Sequence, residues 1–156
     1  MVEELALFLG LEMNFLATEN NLRELLLSEN KVGDCLIAEL PHQNAKIGYV
    51  VYFQTPSTFR GKKGLHIEDL YVTDGFRHKS VGRKLLHAVC KVADQIDCCR
   101  IQWEAPISNE KARAFYDSLD VPVVGGWVTY RLNNALSEFA RSQTRYQLGE
   151  DMLKDR

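Results

Sequence analysis

Apolar residues recur every three or four positions in five stretches of the chain, which is the spacing that buries one face of an α-helix. Thr18 and Ser108 each stand before one of these stretches, where a hydroxyl group can cap the first turn. Two of the stretches come early in the chain, so we expect it to open with two helices. The predicted helices cover residues 2–9, 18–26, 81–96, 108–119 and 133–148.

Runs rich in β-branched and aromatic residues lie between these helices and predict strands. A polar loop over residues 54–64 separates the second strand from the third. The order ααβββαβαβα predicts one α/β or α+β domain over residues 1–156, with a sheet whose third strand leads into the long helix. The predicted strands cover residues 34–40, 46–54, 65–72, 99–105 and 123–132, the last one bent at Gly125 and Gly126.

The composition of the chain argues against several classes of function but does not identify a particular one. The 156 residues carry a net charge of -2, with neither the basic excess that suits nucleic acid nor an apolar run long enough for a membrane helix. The start of the chain lacks the basic residues of a signal peptide, so a cytoplasmic location is expected by default. The four cysteines include no CxxC pair, and no histidine pair has metal-ligand spacing, so we expect no metal.

The stretch FRHKSVG, residues 76–82, joins the third predicted strand to the long helix. Free N–H groups and the helix dipole at such a junction attract an anion. The stretch matches neither the Walker pattern nor the dinucleotide pattern, and what remains is Arg77, Ser80 and Gly82. From these residues alone two interpretations stay open: an anion-binding loop, or an ordinary turn with solvated basic side chains.

Several spaced motifs together resemble one family. IEDLYVTDGFRHKSVGRKLL followed by SNEKARAFYDSLD resembles the GNAT superfamily of acetyl-coenzyme A-dependent N-acetyltransferases, whose loop reads [RQ]-x-x-G-x-[GA]. The chain looks most like the spermidine/spermine and thialysine acetyltransferase branch, and the resemblance runs from about Glu4 to Phe139. It implies a mixed, mostly antiparallel central sheet with helices on both faces. It also implies acetyl-CoA as co-substrate and a small-molecule primary amine as acceptor.

The resemblance also assigns roles to residues. Loop N–H groups would cradle the coenzyme A pyrophosphate, and the third strand would bond the pantetheine arm, with a later helix on its other side. Tyr116 would be the acid for the leaving thiolate, and Glu68 would be the base, acting through water. The implied coenzyme-binding residues are Leu70, Tyr71, Val72, Arg77, His78, Lys79, Ser80, Val81, Gly82, Arg83, Asn109, Glu110, Lys111 and Ala112.

Three departures from the family pattern affect these expectations. His78 and Ser80 replace glycines of the loop, and we expect backbone contacts to survive there only if φ is negative and the space is free. Asp120 replaces the glycine that usually ends the Tyr-bearing helix, and Asp tolerates a left-handed position better than most residues. The family's usual first strand has no counterpart, so we expect a sheet without that strand and, through its open edge, a homodimer.

The acceptor side differs from that of the polyamine enzymes. Leu9, Thr58 and Gly125 stand where those enzymes carry acids, so a polyamine is not the expected substrate. Arg60, Lys62 and Lys63 either form an ordinary solvated loop or add positive charge nearby, which would suit an amine that also bears a carboxylate. The predicted acceptor-side residues are Phe8, Leu9, Trp103 and Glu104.

Two hypotheses of different classes follow. The first is an enzyme that acetylates a small-molecule amine, favoured by Tyr116, Glu68 and Asn109. The alternative is a degenerate member of the fold that binds coenzyme A weakly or not at all and acts as a binding or interaction module. The loop substitutions and the missing strand favour that alternative. Transfer to a protein terminus or to lysine is a third, weaker option.

Overall fold

A computed structural model describes residues 1–131 of the chain. The chain forms one compact unit over Met1–Tyr116 and a second that begins at Asp117. Short 3₁₀ turns lie at Glu12–Asn14 and Asp74–Phe76. None of the helices in the described residues has the length and apolar character that a membrane crossing requires. The helices are α1 (Val2–Phe8), α2 (Glu19–Leu27), α3 (Val81–Gln95) and α4 (Glu110–Asp117), and the strands are β1 (Asp34–Leu40), β2 (Ala45–Ser57), β3 (Lys62–Val72) and β4 (Ile101–Trp103).

The four strands form one sheet in the order β1-β2-β3-β4. The first three run antiparallel as two hairpins, and β4 is parallel to β3 because α3 carries the chain back along the sheet. Within the described residues β1 is therefore an edge strand, as expected from the absence of the family's first strand. The mixed, mostly antiparallel sheet confirms the predicted fold class.

α3 packs on one face of the sheet and supplies much of the core of the first unit. Its apolar side, which carries Leu85 and Val89, lies against β1, β2 and β3. Val50 in β2 and Val89 are completely buried, and burying an apolar side chain of this size contributes about 1.5–3 kcal/mol. A Cβ on Gly48 would meet the Tyr71 carbonyl oxygen at 2.7 Å and Leu85 Cδ1 at 3.4 Å, so β2 needs a glycine where the helix approaches.

α1 lies on the opposite face of the sheet from α3. Successive strand residues point to opposite faces, so Tyr49 and its partner Tyr71 point away from α3. On that side the Tyr71 hydroxyl donates a 3.0 Å hydrogen bond to Glu4 of α1. α2 begins at the predicted cap, where the Thr18 side chain accepts from the Asn21 N–H at 3.2 Å. Helices on both faces of the sheet match the predicted architecture.

The β2–β3 hairpin is longer than predicted. Its strands extend to Ser57 and Lys62, so the loop predicted over residues 54–64 shrinks to residues 58–61. Backbone pairing does not depend on side-chain polarity, and even Pro56 stands in the ladder, opposite Lys63. The polar sequence of this stretch therefore hid a pair of strand ends.

The later strands are shorter than predicted. β4 covers only Ile101–Trp103 of the predicted residues 99–105, since its pairing with β3 stops there. The strand predicted over residues 123–132 is absent from its described part, residues 123–131. No described strand pairs with that segment, and an extended run becomes a strand only when a neighbour takes its N–H and C=O groups. The helix predicted over residues 133–148 lies outside the described residues.

Candidate functional site

β3 and β4 pair over a short distance and then part. The parallel ladder ends with Ile67 opposite Trp103. β3 continues to Val72, still paired with β2 on its other side. From Glu68 onward, no strand in the described part of the chain lies along the β4 side of β3. The two strands therefore leave an opening at their carboxyl ends, where the chain turns into the loop before α3.

The open edge of β3 presents the backbone groups of alternate residues. The Thr73 N–H donates to the Ile47 carbonyl at 3.0 Å, which makes these two residues a hydrogen-bonded pair. Such pairs alternate with non-bonded pairs in an antiparallel ladder, so the N–H and C=O groups of Leu70 and Val72 point to the open edge. Those of Tyr71 point to β2. The expected strand-like contact is thus available at Leu70 and at the Val72 N–H, and not at Tyr71, while the Val72 carbonyl accepts from Arg77.

In the loop before α3, two residues that are not glycine have the positive φ values that are typical of glycine. His78 and Ser80 have φ values of 58° and 61°, in the left-handed region that L-residues enter at a cost of roughly 1–2 kcal/mol each. The condition of negative φ that we set for these positions is not met, and it was too strict, because a residue held at positive φ gives the backbone the same course as a glycine there. Instead the chain keeps the conformation that glycine would adopt, and both side chains are exposed.

The N-terminus of α3 is electrostatically suited to an anion. Arg83 and Lys84 lie in its first turn, which contains no acidic residue. The Ser80 side chain forms no capping hydrogen bond with the helix, so it does not occupy the first-turn N–H groups. These groups carry the positive end of a helix dipole equivalent to roughly half an elementary charge. The donor set therefore fits a pyrophosphate, as the implied coenzyme requires.

The Arg77 side chain is directed toward its own loop and α1. Its Nε donates to the Val72 carbonyl at 3.0 Å, and its Nη1 lies 2.9 Å from Asp74 Oδ1. The guanidinium carbon lies 4.4 Å from the centre of the Phe8 ring. The guanidinium therefore holds neighbouring segments of the chain together. The coenzyme contact expected of Arg77 stays a prediction, and we expect its backbone to make that contact.

Glu68 occupies a β-bulge at the start of the opening. Ile67 and Asp69 pair with consecutive residues of β2, which leaves Glu68 without a partner in that strand. The Glu68 side chain is 62% exposed, and its Oε2 lies 4.0 Å from His66 Nε2. An exposed carboxylate at this point is accessible to water, as a base acting through water must be.

The adjacent Asp69 has a different environment. It accepts a 3.3 Å hydrogen bond from the Tyr49 hydroxyl on the α1 side of the sheet. Burial raises the pKa of Asp69, and the charge of Glu68 adds to this rise, whereas the hydrogen bond from Tyr49 opposes it. Burial, and secondarily Asp69, also raises the pKa of the Tyr49 phenol. The bulge therefore separates an exposed acid from a half-buried one.

α4 brings Tyr116 beside the last residue of β4. The Tyr116 and Trp103 rings lie 5.2 Å apart between centroids, with planes tilted by 48°. Burial raises the pKa of Tyr116, so its phenol remains protonated at neutral pH and can donate a proton. One residue earlier, Phe115 packs against the first turn of α3, since a Cβ on Gly82 would lie 3.4 Å from its ring. α4 thus contacts both β4 and the start of α3.

Asn109, rather than the predicted Ser108, caps α4. Its Oδ1 accepts a 3.1 Å hydrogen bond from the Ala112 N–H, which satisfies one of the first-turn donors. Both residue types favour this position, so the pattern alone did not separate them. In the turn that Asn109 holds, Glu110 and Lys111 are exposed.

The predicted acceptor-side residues fall in two places. Phe8 ends α1 with its ring against Arg77, and Leu9 follows it. Trp103 ends β4, and Glu104 follows it with an exposed side chain. Both places flank the β3 segment that carries the opening, one through α1 and the other through β4.

The basic residues expected near the acceptor are at the far end of β3. Lys62 begins this strand and Glu68 lies six positions on, which at about 3.3 Å per residue separates them by about 20 Å. The Lys62 Nζ also lies 2.9 Å from Asp97 Oδ1. The hairpin extends away from the opening, and this geometry favours the interpretation of these residues as a solvated loop.

Glu4 makes a contact with the sheet that was not predicted from the sequence. It stands one helical turn before Phe8, and i,i+4 spacing places the two side chains on one face of α1. Glu4 contacts Tyr71, and Phe8 contacts Arg77. The spacing was the available signal, but without the sheet it does not tell what that face meets.

Comparisons with known proteins agree with this geometry. The Acetyltransferase (GNAT) family matches residues 8–120. Thialysine N-epsilon-acetyltransferase of Caenorhabditis elegans is 31% identical over 144 residues, covering 90% of this chain and 87% of that protein. The same enzyme of Sus scrofa is 29% identical over 150 residues, covering 90% and 88%. L-ornithine N5-acetyltransferase of Arabidopsis thaliana is 33% identical over 85 residues, covering 54% of this chain and 37% of that protein.

A solved structure shows the same fold over most of the chain. An integron cassette protein from the mobile metagenome of V. cholerae superposes with a TM-score of 0.74 at 24% identity, covering 88% of this chain and 86% of its own. The family match spans the opening between β3 and β4, the loop before α3, and α4 with Tyr116. The chain therefore belongs to the acetyltransferase (GNAT) family and is an acetyl-CoA-dependent N-acetyltransferase.

Proposed function

We propose that the protein transfers the acetyl group to the primary amine of a small, amino acid-like molecule and not to a polyamine. The observation that carries this proposal is the opening between β3 and β4, which has Glu68 on one strand and Tyr116 beside the end of the other. Relatives named for thialysine and ornithine support the acceptor class. Leu9, which follows α1 and stands where polyamine enzymes carry an acid, argues against a second ammonium group.

Acetyl-CoA, when bound, supplies an activated acetyl thioester. The N–H groups at residues 78–83 would hold its pyrophosphate, because the loop keeps a glycine-like backbone and the Ser80 side chain does not cap the first turn of α3. The open edge at Leu70 and Val72 would hold the pantetheine arm as an added strand. The retained backbone conformation of the loop argues against a degenerate fold member that has lost its coenzyme.

Three groups of the chain would act in the reaction. Glu68 would take a proton from the incoming ammonium through water, since only the neutral amine is a nucleophile. The Leu70 N–H, which points to the open edge, would donate to the acetyl oxygen as charge develops there. Tyr116 would protonate the departing thiolate, because burial keeps its phenol protonated. A bond from nitrogen to the acetyl carbon forms, and the carbon–sulfur bond breaks.

An amine panel tests the proposed acceptor. Thialysine, ornithine, spermidine and an aromatic monoamine would be compared at equal concentration with acetyl-CoA, with release of the coenzyme thiol followed over time. Each charged hydrogen bond to a second ammonium is worth about 1.5–3 kcal/mol, so an enzyme without them should use spermidine at least tenfold less efficiently than thialysine. Highest kcat/KM for spermidine would overturn the proposal. Calorimetry with acetyl-CoA alone tests the coenzyme site separately.

We also propose a homodimer. β1 is an edge strand of the described sheet, and Ile37 on it is 52% exposed, so its unpaired backbone and apolar surface invite pairing. Light scattering at micromolar concentration should give twice the 17.8 kDa chain mass. A monomer would contradict this. The cytoplasmic location stays a prediction from the sequence.

A further inference from the structure

Two side chains on one face of α1 contact the end of β3 and the loop before α3. Glu4 accepts a 3.0 Å hydrogen bond from the Tyr71 hydroxyl, near the end of β3. One turn later, the Phe8 ring lies 4.4 Å from the guanidinium carbon of Arg77, in the loop before α3. These contacts form what we call the α1 clasp, made of Glu4, Tyr71, Phe8 and Arg77. The clasp joins the acceptor side to the coenzyme side of the candidate site.

Arg77 is the member of the clasp that belongs to the loop. It also contacts the Val72 carbonyl at 3.0 Å and Asp74 at 2.9 Å, which ties it to the end of the open edge and to the preceding turn. Its guanidinium carbon lies 5.8 Å from the centre of the Tyr71 ring. His78 follows directly in a left-handed conformation that the loop must maintain. The position of the guanidinium therefore depends on the conformation of the loop, and the Phe8 contact depends on that position.

In the described part of the chain α1 is only partly covered: Val2, Leu5 and Ala6 are half-buried, and Phe8 itself is 39% exposed. None of its residues is buried, and Leu7 is 64% exposed. A cation–π contact at a partly exposed site corresponds to a factor of about two to five in an equilibrium constant. Because α1 has no buried residue, a factor of this size changes the fraction of time that the helix is docked on the sheet and the loop.

We propose that Arg77 is a positioning residue that couples the pyrophosphate loop to α1, so that a bound coenzyme favours the docked helix and thereby organises the acceptor side. This inference rests on the proposed function, since it takes the loop as the coenzyme site and Phe8 and Leu9 as acceptor wall. Coupling between binding sites is reciprocal, so a bound amine favours the coenzyme-binding conformation of the loop by the same factor.

Hydrogen exchange tests the coupling without using activity. Exchange of amides at residues 2–8 would be measured with and without saturating acetyl-CoA in the wild type and in Phe8→Leu, Arg77→Gln and the double variant. Gln keeps an N–H donor for the Val72 carbonyl but removes the cation from the Phe8 and Tyr71 rings and from Asp74, whereas Phe8→Leu removes the Phe8 contact alone. We expect the coenzyme to slow exchange in the wild type. The slowing should weaken about two- to fivefold in each single variant and no further in the double variant.

Matched variants separate coupling from simple packing. Phe8→Tyr keeps the ring and should retain the protection, whereas Leu7→Ala removes a neighbouring exposed side chain and should not reduce it. The KM for thialysine should rise about two- to fivefold in Phe8→Leu and in Arg77→Gln, non-additively and with kcat little changed. A Phe8 side chain that only touched the amine would give additive effects with Arg77→Gln.

The outcomes distinguish this inference from the function beneath it. No heat on titrating acetyl-CoA into the wild type would overturn the proposed coenzyme site and the coupling with it. Binding by calorimetry without any protection of residues 2–8 would overturn the coupling alone. Three other results would also overturn the coupling alone. They are equal protection of residues 2–8 in the wild type and Phe8→Leu, additive losses of that protection in the double variant, and a loss of protection in Leu7→Ala.

Discussion

Replacing Ser80 by glycine should stabilise the protein. Ser80 has φ 61°, a left-handed conformation that costs a non-glycine residue roughly 1–2 kcal/mol. Glycine removes that cost but loses more backbone entropy on folding, by roughly 0.5–1 kcal/mol. The exposed Ser80 side chain makes no capping hydrogen bond, so its removal sacrifices no helix cap. The net expectation is a gain of about 0.5–1 kcal/mol in the free energy of unfolding.

Urea denaturation and calorimetry measure this gain. For a chain of this size, each kcal/mol shifts the melting temperature by about 2–4 °C, so Ser80→Gly should melt about 1–4 °C higher than the wild type. The urea midpoint should rise with an unchanged slope, since the surface exposed on unfolding is the same. His78→Gly should act in the same direction, because His78 has φ 58°. Acetyl-CoA affinity should stay the same or improve, because a glycine keeps the backbone donors.

Lys79 provides the matched control. It lies between the two left-handed residues but has no positive φ, so Lys79→Gly should destabilise the protein by about 0.5–1 kcal/mol through backbone entropy alone. It also loses a 2.9 Å hydrogen bond from its Nζ to the Gly75 carbonyl. If Ser80→Gly lowered the free energy of unfolding as Lys79→Gly does, the left-handed backbone of Ser80 would not be strained, and the prediction would be wrong. A large loss of coenzyme affinity in Ser80→Gly would mean that the hydroxyl contacts the phosphates.

Three further predictions follow from the same structure. Tyr116→Phe should lower kcat roughly ten- to a thousandfold with little change in acetyl-CoA affinity, and unchanged turnover would assign Tyr116 to packing against Trp103. Burial raises the pKa of Asp69 in the folded state above its value in the unfolded state, so the native state binds the proton more readily. The stability of the wild type therefore falls as the pH rises from the unfolded pKa of this carboxyl group to its folded pKa. The stability of Asp69→Asn relative to the wild type should therefore be greater near about pH 7 than near about pH 3, and a pH-independent difference between their melting curves would contradict this. Gly82→Ala should be tolerated, because its Cβ would lie 3.4 Å from the Phe115 ring, whereas Gly82→Val should cost about 1–3 kcal/mol by overpacking; equal melting temperatures would show that α4 moves aside.

The sequence by itself determined the elements whose side chains repeat with one period. The apolar spacing of α3 predicted residues 81–96, against Val81–Gln95 in the structure, and the mostly apolar run of β1 predicted the observed Asp34–Leu40. Thr18 marked the start of α2 because a capping hydrogen bond is local. The family motifs around the loop and Tyr116 identified the chemistry, since spaced residue types in a fixed order carry that information without coordinates.

Only the tertiary structure decided the features that depend on a neighbouring segment. The register with β2 creates the bulge at Glu68 and selects Leu70 and Val72, rather than Tyr71, for the open edge. The end of the β4 ladder at Trp103 creates the opening itself. The hairpin geometry puts Lys62 far from that opening, and the approach of α1 brings Phe8 to Arg77. Pairing register and packing between distant segments are set by the whole fold, because the same local sequence can satisfy its hydrogen bonds with several different partners.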